Sequence, residues 1–483
     1  MISGINKNGL LPGELIVDNY CGGGGASTGL EMFLKRDVDI AINHNEEAID
    51  MHKVNHPNTK HYSESVWSVN PIAACMGFPV GIAWFSPDCT HFSIAKGGMP
   101  VSQNIRGLAW LTVKWCALVP VRTFHLENVE EFKTWGPVKD GKPIKERKSE
   151  YFNGFIKALT TGLEKESPVY KDIYQALFKF NYDINYKLSL YKKIKAGLGY
   201  DLEHKILKAC DYGVPTIRKR FFMTARNDRQ PIVWPKVTHG DKNSNLLPYK
   251  TVADHVIDWS LPAKSIFNRK RPLAEKTMQR IAKGIQRFVI DNPEPYIVKG
   301  EIVPFITECA NGSRQRNMAI DEPLRTICAK VKGGHFALVT SYIVKMRGTN
   351  LGHKIDEPLH TISAGGNHFG EVKAFLIKYY GKVGGQSMTE PLHTVRANDC
   401  FGLVLIKGEK YKIVDIALRM LAPHELYAAH DFPTDYKISH NSEGKKNTIK
   451  NQVARVGNSV PPTMAGLIAH ANLYQATERS IAA

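Results

Sequence analysis

The first third of the chain alternates between two hydrophobic patterns. Strand-like apolar runs occupy residues 15–17, 40–42, 80–84 and 121–126. Helical patterns lie between them, at residues 26–34, 46–52 and 108–119. Strands that alternate with helices are typical of β-α-β units, so we predict a mostly parallel sheet in this part of the chain.

Beyond about residue 240 the pattern changes and an internal repeat appears. The sequence Asp-Glu-Pro-Leu-Arg-Thr-Ile at residues 321–327 recurs in related form at residues 356–362 and 389–395, after steps of 35 and 33 residues. An apolar run follows each copy, at residues 336–339, 374–377 and 403–406. A fixed period of this length indicates stacked supersecondary units, and Pro, Thr and β-branched residues favour short strands. We predict a β-rich second domain, in which the repeats either build a scaffold or carry functional loops between them.

Length, charge and cysteine content narrow the class of protein. A chain of 483 residues is long enough for two domains, and it has no apolar run of the roughly 18 residues that a membrane span needs. The formal net charge of +18 indicates either a polyanionic partner, with nucleic acid first, or a solvated basic surface. No two of the eight cysteines show zinc-site spacing, so we expect free thiols, no metal and a cytoplasmic location without a signal peptide.

Five short motifs follow one another along the chain. They are a glycine-rich turn, a cysteine-containing loop, a Glu-Asn-Val triplet, a segment with alternating arginines and a Gly-Asn-Ser-Val segment. They occupy residues 17–25, 85–93, 127–129, 213–220 and 452–462. Together and in this order they resemble the DNA cytosine-5 methyltransferases of bacterial or bacteriophage type. The resemblance extends from about Leu15 to the C-terminus, and the middle third of the chain is its least typical part.

The resemblance implies a fold and a division into domains. We expect an α/β, doubly wound, Rossmann-like catalytic domain that uses S-adenosylmethionine, joined to a β-rich target-recognition domain. The expected boundaries are residues 1–240 for the catalytic domain, completed by residues 445–483, then 245–418 for target recognition and 419–444 for a bridging segment. A motif of Arg419, Leu421, Glu425, Phe432 and Pro433 is expected to brace the recognition domain.

The resemblance also implies a nucleophile. A thiolate that adds to carbon 6 of cytosine pushes electron density onto carbon 5, which can then accept a methyl group. Cys89 is the expected nucleophile, because Pro87 precedes it and Phe92 and Ser93 follow it at the family spacing. Asp88 departs from the family pattern, and a carboxylate beside the thiol opposes thiolate formation. Without these neighbours, such a cysteine would be read as a small buried hydrophobic residue.

Three charged residues are expected to hold the base. Glu127, if burial keeps it neutral, can donate a hydrogen bond to ring nitrogen 3 of the cytosine. Arg218 and Arg220 alternate, so they share a face in an extended segment. One can bind the base carbonyl, and the other a phosphate or Glu127. Thr216 stands where the family has glutamine, which puts a glutamine-mediated contact in doubt.

A larger set of residues is expected to bind the cofactor. The set is Asp18, Tyr20, Gly22, Gly23, Gly24, Asn43, His44, Ser65, Val66, Pro87, Asn458 and Ser459. Three of them depart from the family pattern: Tyr20 replaces a phenylalanine, Asn43 an acidic residue that binds the ribose, and Ser65 an aspartate that binds the adenine amino group. Residues 458 and 459 lie near the C-terminus but are expected in the cofactor pocket of the first domain. We therefore predict that a C-terminal helix packs against the first domain.

The expected partner is double-stranded DNA, bound by a monomer in the cytoplasm of a bacterial or phage-infected cell. The target base would be flipped out of the duplex, and residues 142–148 and 268–271 are candidate phosphate contacts. Residues 133–150 are expected to form a mobile or DNA-facing loop. Three alternatives stay open at this point: the same chemistry on RNA, a catalytically silent DNA-binding protein, and a dinucleotide oxidoreductase, for which the cysteine motif has no role.

Overall fold

The structure is a computed structural model of the 483-residue chain. It describes residues 9–88, 107–140, 142–178, 183–267, 269–292, 294–298, 302–309, 315–328, 336–345, 403–406 and 409–475. Cys89 and the second and third copies of the repeat lie outside these residues. The chain divides into two compact units, residues 1–250, 323–330 and 426–483 in the first and residues 251–322 and 331–425 in the second.

The first unit contains eleven of the described strands. They are β1 (Leu15–Asn19), β2 (Ile40–Ile42), β3 (Lys60–Tyr62), β4 (Val80–Phe85), β5 (Val121–Asn128), β6 (Val138–Lys139), β7 (Lys142–Pro143), β8 (Asp201–Lys208), β9 (Lys219–Arg226), β10 (His239–Gly240) and β11 (Leu247–Pro248). Its described helices are α1 (Gly25–Leu34), α2 (Glu46–Asn55), α3 (Pro71–Cys75), α4 (Trp110–Leu118), α5 (Glu150–Leu159), α6 (Tyr170–Phe178) and α7 (Ile184–Ala196).

The second unit and the C-terminal segment contribute the remaining described elements. The second unit has helices α8 (Val252–His255) and α9 (Glu275–Ile285), and strands β12 (Lys264–Ser265), β13 (Ile302–Glu308), β14 (Asn317–Met318), β15 (Phe336–Lys345), β16 (Leu403–Ile406) and β17 (Glu409–Met420). Helix α10 (Pro423–Ala429) crosses the boundary, and α11 (Ile449–Asn458) and α12 (Pro462–His470) complete the first unit.

The first unit is built on a seven-stranded sheet with the strand order β3-β2-β1-β4-β5-β9-β8. The first five of these strands are parallel, and β9 and β8 are antiparallel to their neighbours. This confirms the predicted Rossmann-like α/β fold. The strand order reverses between β1 and β4, and ligands of such sheets bind outside the carboxyl ends of the strands at this point.

Helices cover both faces of this sheet because its central strands are apolar on both sides. One face packs Phe85 and Phe124 against the aromatic residues of α4 and α5. The other packs Ile82 and Trp84 against α1 and α12. Helices α1 and α12 touch closely, since a Cβ atom on Gly29 would lie 2.1 Å from the Pro462 carbonyl oxygen. The predicted return of a C-terminal helix to the first domain is therefore confirmed.

The segment between β5 and α5 is more ordered than the sequence analysis expects. Instead of one irregular loop, its described residues form a 3₁₀ turn at Glu130–Thr134, the β6–β7 ribbon and a second 3₁₀ turn at Lys145–Arg147. Trp135 is fully buried between Phe132 and Phe155, and its carbonyl accepts from the backbone N–H of Tyr151 at 3.0 Å. Its buried aromatic residues belong to the main core of the first unit, so the segment is anchored there despite its charged composition.

The second unit is β-rich, as predicted, and its described strands pair in antiparallel fashion. The order is β12-β17-β15-β13-β14, and β16 also pairs with β17. The apolar runs at residues 336–339 and 403–406 lie in β15 and β16. Helix α9, which the repeat pattern does not predict, packs Ile281 and Ile285 against Phe305 and Val339 of the sheet.

The bridging motif forms a buried ion pair inside the second unit. Arg419 donates to both carboxylate oxygens of Glu425, at 2.7 and 2.8 Å, and also to the Asp258 carbonyl at 3.0 Å. Glu425 in turn accepts from the Asp258 backbone N–H at 2.9 Å. These hydrogen bonds hold the end of β17 to the segment after α8, and the loss of either charged partner would leave a buried charge uncompensated.

Candidate active site

Most of the described candidate residues lie at the carboxyl edge of the seven-stranded sheet. Strands β1, β2, β4 and β5 are parallel, so the segments that follow them meet at one edge. Strand β9 runs the other way and begins at this edge, where Phe221 pairs with Asn128 and Phe222 with Glu127. The two arginines before and within β9 therefore reach the residue at the end of β5.

The glycine turn after β1 is formed by Tyr20 to Gly24, and three of its residues are left-handed. Tyr20, Gly22 and Gly24 have φ angles of 66°, 52° and 85°. A Cβ atom on Gly24 would lie 2.2 Å from the Tyr436 hydroxyl, and one on Gly23 would lie 3.0 Å from Arg455 Cβ. Among the described residues, a Cβ atom on Gly22 would meet only the Tyr20 carbonyl, at 3.7 Å. Gly22 thus has room beside it in the described part of the chain, whereas the next two glycines allow close protein packing.

A buried polar chain lies behind this turn. The carboxylate of Asp18 accepts from Ser27 Oγ at 2.7 Å, His52 Nε2 lies 3.0 Å from the same hydroxyl, and His52 Nδ1 lies 2.8 Å from His61 Nε2. Burial raises the pKa of Asp18 to about 7 and lowers that of His61 to about 4. Burial also lowers the pKa of His52 well below its usual range, so the chain consists largely of neutral groups near pH 6.

Two atoms at the end of β1 lack a hydrogen-bond partner. Asp18 Oδ1 and Asn19 Nδ2 are buried and unpaired among the described residues. An unpaired buried acceptor beside an unpaired buried donor, at the switch point of the sheet, fits a polar ligand. The sequence analysis identifies Asp18 but not Asn19, although its place at the strand end was a usable signal.

The residues expected to bind the nucleoside differ in how accessible they are. Asn43 is buried, and its side-chain oxygen accepts from the Asn45 backbone N–H at 2.9 Å, which leaves its amide nitrogen to donate. His44 and Ser65 are exposed, whereas Val66 is buried in the core. Val66 can therefore shape the pocket chiefly through its backbone.

A buried lysine that the sequence analysis misses supports the segment after Ser65. Lys114 Nζ donates to the carbonyl oxygens of Val69 at 2.9 Å and Trp67 at 3.3 Å. Burial lowers the pKa of this amine to about 7. It lies inside the apolar helix α4, and nothing in the local pattern distinguishes it from a lysine that reaches solvent.

The strongest electrostatic feature of the edge is a cluster of Glu127, Arg218 and Arg220, called the Glu127 cluster below. Glu127 Oε1 lies 3.2 Å from Arg220 Nε and 3.8 Å from Arg218 Nη2. Glu127 and Arg218 are 7% and 3% exposed. Two guanidinium groups around one buried carboxylate leave a positive site that can bind a carbonyl or phosphate oxygen.

Long-range backbone contacts hold the arginines in place. Thr216, which replaces the family glutamine, donates its hydroxyl to the Leu324 carbonyl at 2.8 Å, and Ile217 N–H donates to the same oxygen at 2.8 Å. Leu324 belongs to the first copy of the repeat, which the sequence analysis places in the recognition domain, yet it lies in the first unit. Arg218 Nη1 also donates to the Gly457 carbonyl at 3.2 Å.

The Gly-Asn-Ser-Val segment reaches the edge from the C-terminus. Asn458 is exposed at the end of α11. Ser459 is buried, and a Cβ atom on Gly25 would lie 2.0 Å from its hydroxyl. The segment therefore packs on the first residue of α1, next to the glycine turn.

Two hydrogen bonds flank the segment that contains Cys89. Asn128 Nδ2 donates to the Pro87 carbonyl at 3.0 Å, and Tyr20 Oη donates to the Leu108 carbonyl at 2.8 Å. Pro87 is two residues before Cys89, which itself lies outside the described residues. The bond from Asn128 ties the end of β5 to the chain just before the candidate nucleophile.

The described residues contain neither a metal-binding cluster nor a membrane-spanning helix. No set of three or more His, Cys, Asp or Glu side chains there could bind a metal ion. In the same residues no helix has the length and apolar character needed to cross a membrane. The six cysteines that the structure describes are free, and four of them are buried.

Comparisons with known proteins agree with the resemblance. The sequence profile of the family described as C-5 cytosine-specific DNA methylase matches residues 177–473. The type II methyltransferase M.BspRI of Lysinibacillus sphaericus is 34% identical over 101 residues, which are 18% of this chain and 24% of that protein. The chain thus matches about a quarter of the length of this relative.

Solved structures of methyltransferases are also similar. DNMT2 of Spodoptera frugiperda has a TM-score of 0.44 and 15% identity, over 94% of this chain and 97% of that one. A putative DNA modification methyltransferase encoded within an E. coli prophage has a TM-score of 0.37 and 14% identity, over 96% and 99% of the two chains.

The family profile covers more than half of the sequence, and it spans the two arginines, the first repeat copy and the Gly-Asn-Ser-Val segment. The chain belongs to the C-5 cytosine-specific DNA methylases.

Proposed function

We propose that the protein transfers a methyl group from S-adenosylmethionine to carbon 5 of a flipped-out cytosine in duplex DNA, through a covalent adduct of Cys89. The observation that carries the proposal is the Glu127 cluster. Three charged residues from two distant segments meet at the same end of the sheet as the glycine turn, in a chain of this family. A buried carboxylate with two guanidinium groups at the ligand-binding end of such a sheet is typical of a functional site.

The residues at the end of β1 fit S-adenosylmethionine. Gly22 leaves space beside the turn, and Asp18 Oδ1 and Asn19 Nδ2 offer an unpaired acceptor and donor. Asn43 can donate its amide nitrogen to a ribose hydroxyl, and the exposed His44 ring can stack on the adenine. When bound, S-adenosylmethionine supplies an electrophilic methyl group.

The Glu127 cluster would bind the base and stabilise the charge that develops on it. Arg220 is partly accessible and can donate to the carbonyl oxygen at position 2 of the ring. Once it leaves its present ion pair and takes up a proton, the Glu127 carboxyl can donate a hydrogen bond to ring nitrogen 3. Electron density that moves onto the ring after nucleophilic attack is then stabilised by fixed donors, which is the general source of such rate enhancement.

Cys89 would perform the covalent step. Its thiolate adds to carbon 6 of the cytosine, so that carbon 5 becomes nucleophilic and takes the methyl group. Loss of the proton from carbon 5 restores the double bond and expels the thiolate. The bond from Asn128 to Pro87 supports this assignment, because it links the base-binding strand to the residue two positions before Cys89.

Exposed lysine and arginine side chains away from the carboxyl edge of the seven-stranded sheet are suited to bind DNA phosphates. Lys142, Lys145, Arg147 and Lys148 are exposed, as are Lys270 and Arg271. Arg269 belongs to the same predicted group but is half-buried, and it donates to the carbonyls of Ser265 at 3.0 Å and Leu418 at 2.9 Å. We assign Arg269 to the structure of the second unit and the other six to phosphate contact. The second unit would read the DNA sequence.

The test is a trapping assay. The protein is mixed with S-adenosylmethionine and duplex DNA that contains 5-fluorocytosine, and a covalent complex is sought on a denaturing gel. Fluorine at carbon 5 cannot leave as a proton, so the adduct should accumulate for the wild type. It should disappear for Cys89→Ser and persist for the control Cys328→Ser, which removes a thiol elsewhere.

Other outcomes would favour other functions. An adduct with tRNA but not with duplex DNA would indicate that the substrate is RNA. Tight duplex binding without any adduct would indicate a silent DNA-binding protein. We expect the affinity for duplex DNA to fall steeply with salt, since the net charge of +18 favours binding through counterion release. A flat salt response would contradict phosphate contact as the main source of affinity.

A further inference from the structure

Tyr436, in the segment after α10, reaches the glycine turn from the far end of the chain. Its hydroxyl donates to the Gly23 carbonyl at 2.7 Å, although the two residues are 413 positions apart. A Cβ atom on Gly24 would lie 2.2 Å from the same hydroxyl oxygen. The absence of a side chain on Gly24 therefore makes room for this hydrogen bond. The sequence analysis does not include Tyr436 among its candidate residues.

The tyrosine is held in place through both its ring and its backbone. Its ring centroid lies 4.8 Å from that of Phe432 and 6.0 Å from that of Tyr427, on which it stacks. Asn55, at the end of α2, accepts from the Lys437 N–H at 2.8 Å and donates to the Lys437 carbonyl at 2.9 Å. Packing on one side and this backbone pairing on the other fix the Tyr436 hydroxyl as a rigid donor.

The backbone of the glycine turn depends on such a donor for its shape. Glycine adopts left- and right-handed conformations about equally readily, so a peptide between two glycines can turn over at little cost. Within the turn, the Cys21 carbonyl accepts from the Gly24 N–H at 2.9 Å, and the Gly24 carbonyl accepts from the Thr28 N–H at 2.8 Å. The Gly23 carbonyl accepts instead from the distant Tyr436. This one hydroxyl therefore fixes the peptide between Gly23 and Gly24.

We propose that Tyr436 is a positioning residue: its hydroxyl holds the glycine turn in the conformation that binds S-adenosylmethionine. This inference rests on the proposed function, in which the cofactor lies beside the turn. Tyr436 acts through Gly23 and needs no contact with the cofactor itself.

The role predicts a specific division between binding and turnover. A protein whose binding-competent conformation is only partly populated binds its ligand more weakly, in proportion to that population. Without the Tyr436 hydroxyl, the glycine turn would populate other conformations, and part of the binding energy of the cofactor would be used to order it. Once the cofactor is bound the turn is ordered, so turnover at saturating cofactor should hardly change.

The test removes the same atom from two stacked tyrosines. Tyr436→Phe removes the hydroxyl that reaches the turn and keeps the ring. Tyr427→Phe is the control, because the Tyr427 hydroxyl donates to the Gln452 carbonyl at 3.4 Å instead of to the turn. Calorimetric titration gives the Kd for S-adenosylmethionine. Steady-state assays at saturating cofactor give kcat and the KM for duplex DNA, and thermal unfolding gives the melting temperature.

The expected result is weaker cofactor binding without slower turnover. For Tyr436→Phe we expect the Kd for S-adenosylmethionine to rise about 5- to 10-fold, as for the loss of one hydrogen bond, and kcat and the KM for DNA to change less than about twofold. Tyr427→Phe should change all three less than about twofold. If Tyr436→Phe does not fold, Asn55→Ala loosens the same tyrosine through Lys437, and a smaller rise in Kd with unchanged kcat is expected.

A double variant tests the contact with Gly24 directly. In the wild type an alanine methyl at position 24 would meet the Tyr436 hydroxyl at 2.2 Å, whereas the next ring atom, Cζ, is 3.4 Å away. Gly24→Ala should therefore weaken cofactor binding at least about threefold less in the Tyr436→Phe background than in the wild type. The left-handed φ of Gly24 and its closeness to His56 Nε2, at 3.0 Å, are the same in both backgrounds.

Four results would overturn the inference. An unchanged Kd in folded Tyr436→Phe, or in Asn55→Ala in its place, would show that the turn needs no distant donor. An equal rise in Kd for Tyr427→Phe would show a general effect of packing. A fall in kcat at saturating cofactor as large as the rise in Kd would place the hydroxyl in the chemical step. Additive effects of Gly24→Ala and Tyr436→Phe would separate the two residues. A wild-type protein that binds no S-adenosylmethionine would instead overturn the proposed function, and this inference with it.

Discussion

The glycine turn and the Glu127 cluster share one edge of one sheet, yet they are built in opposite ways. Behind the glycine turn, Asp18, Ser27 and His52 form a chain of buried, largely neutral hydrogen bonds between residues close in sequence. The Glu127 cluster joins a carboxylate on β5 to two guanidinium groups some ninety residues away, and Gly457 and Leu324 hold that arginine segment.

The difference indicates what each region is for. The neutral polar chain behind the turn joins residues close in sequence, and its interactions change with pH only where one of its groups titrates. A charged cluster assembled from distant segments is balanced only as a whole, so the removal of any member should affect the others. Substitutions in the two regions should therefore have different effects on turnover, cofactor affinity and stability.

The largest effect is expected for Glu127→Ala. We expect kcat to fall about 10³-fold, because the base loses a fixed partner for its developing charge, while the affinity for S-adenosylmethionine changes less than about threefold. Single-turnover kinetics and calorimetric titration measure the two quantities. A loss of cofactor affinity as large as the loss of rate would show that the two regions are not separate.

A pH-dependent effect of up to about 4 kcal/mol is expected for Asp18→Asn, since one pKa unit corresponds to about 1.4 kcal/mol. The pKa of Asp18 is raised from 3.8 to about 7 in the folded protein. As pH rises, the unfolded chain therefore loses the Asp18 proton at a lower pH than the folded protein does. The free energy of unfolding of the wild type decreases between about pH 4 and 7 and stays reduced above pH 7.

Urea unfolding at pH 5, 7 and 9 tests this prediction. Relative to the wild type, Asp18→Asn should gain stability mainly between pH 5 and 7, with little further change between pH 7 and 9. The histidines with lowered pKa values act in the opposite direction, since their unfolded forms take up protons below pH 6.5, but both proteins share this effect. A constant difference between the two proteins at all three pH values would show that Asp18 does not titrate there.

For Arg218→Met we expect a loss of about 3 kcal/mol in the free energy of unfolding, because Glu127 would remain buried with one cation fewer. The double variant Arg218→Met/Glu127→Gln should recover part of this loss, since the uncompensated charge is gone. Denaturant unfolding of the wild type, the two single variants and the double variant gives the coupling energy. Strictly additive losses would contradict the description of the cluster as one unit.

The smallest effect is expected for Tyr20→Phe, which restores the residue that the family has at this position. The change removes the bond from the Tyr20 hydroxyl to the Leu108 carbonyl, so the free energy of unfolding should fall by about 1 kcal/mol. Thermal unfolding at pH 7 detects a loss of this size. Cofactor affinity should stay unchanged, and a fall in affinity would assign the hydroxyl to the pocket itself.

Much of the first unit could be predicted from sequence because its information is local. Apolar runs such as residues 15–17 and 80–84 predict parallel strands, and strands of this kind bring their following segments to one edge. The motif residues Asp18, Glu127, Arg218 and Arg220 could be named for the same reason. Helix α9 was missed because the prediction for the second domain came from the repeat, whose first copy begins at residue 321, although residues 275–285 show helical apolar spacing.

Sequence by itself determined the family, the Rossmann-like sheet, the β-rich second unit and the short set of candidate site residues. Only the tertiary structure decided that Gly24 packs against Tyr436, that Lys114 supports the segment after Ser65 and that Leu324 holds the arginine segment. Periodicity and motifs describe how each element meets its own neighbours along the chain. Contacts between residues far apart in the sequence depend on strand order and register, which are set when the whole sheet packs.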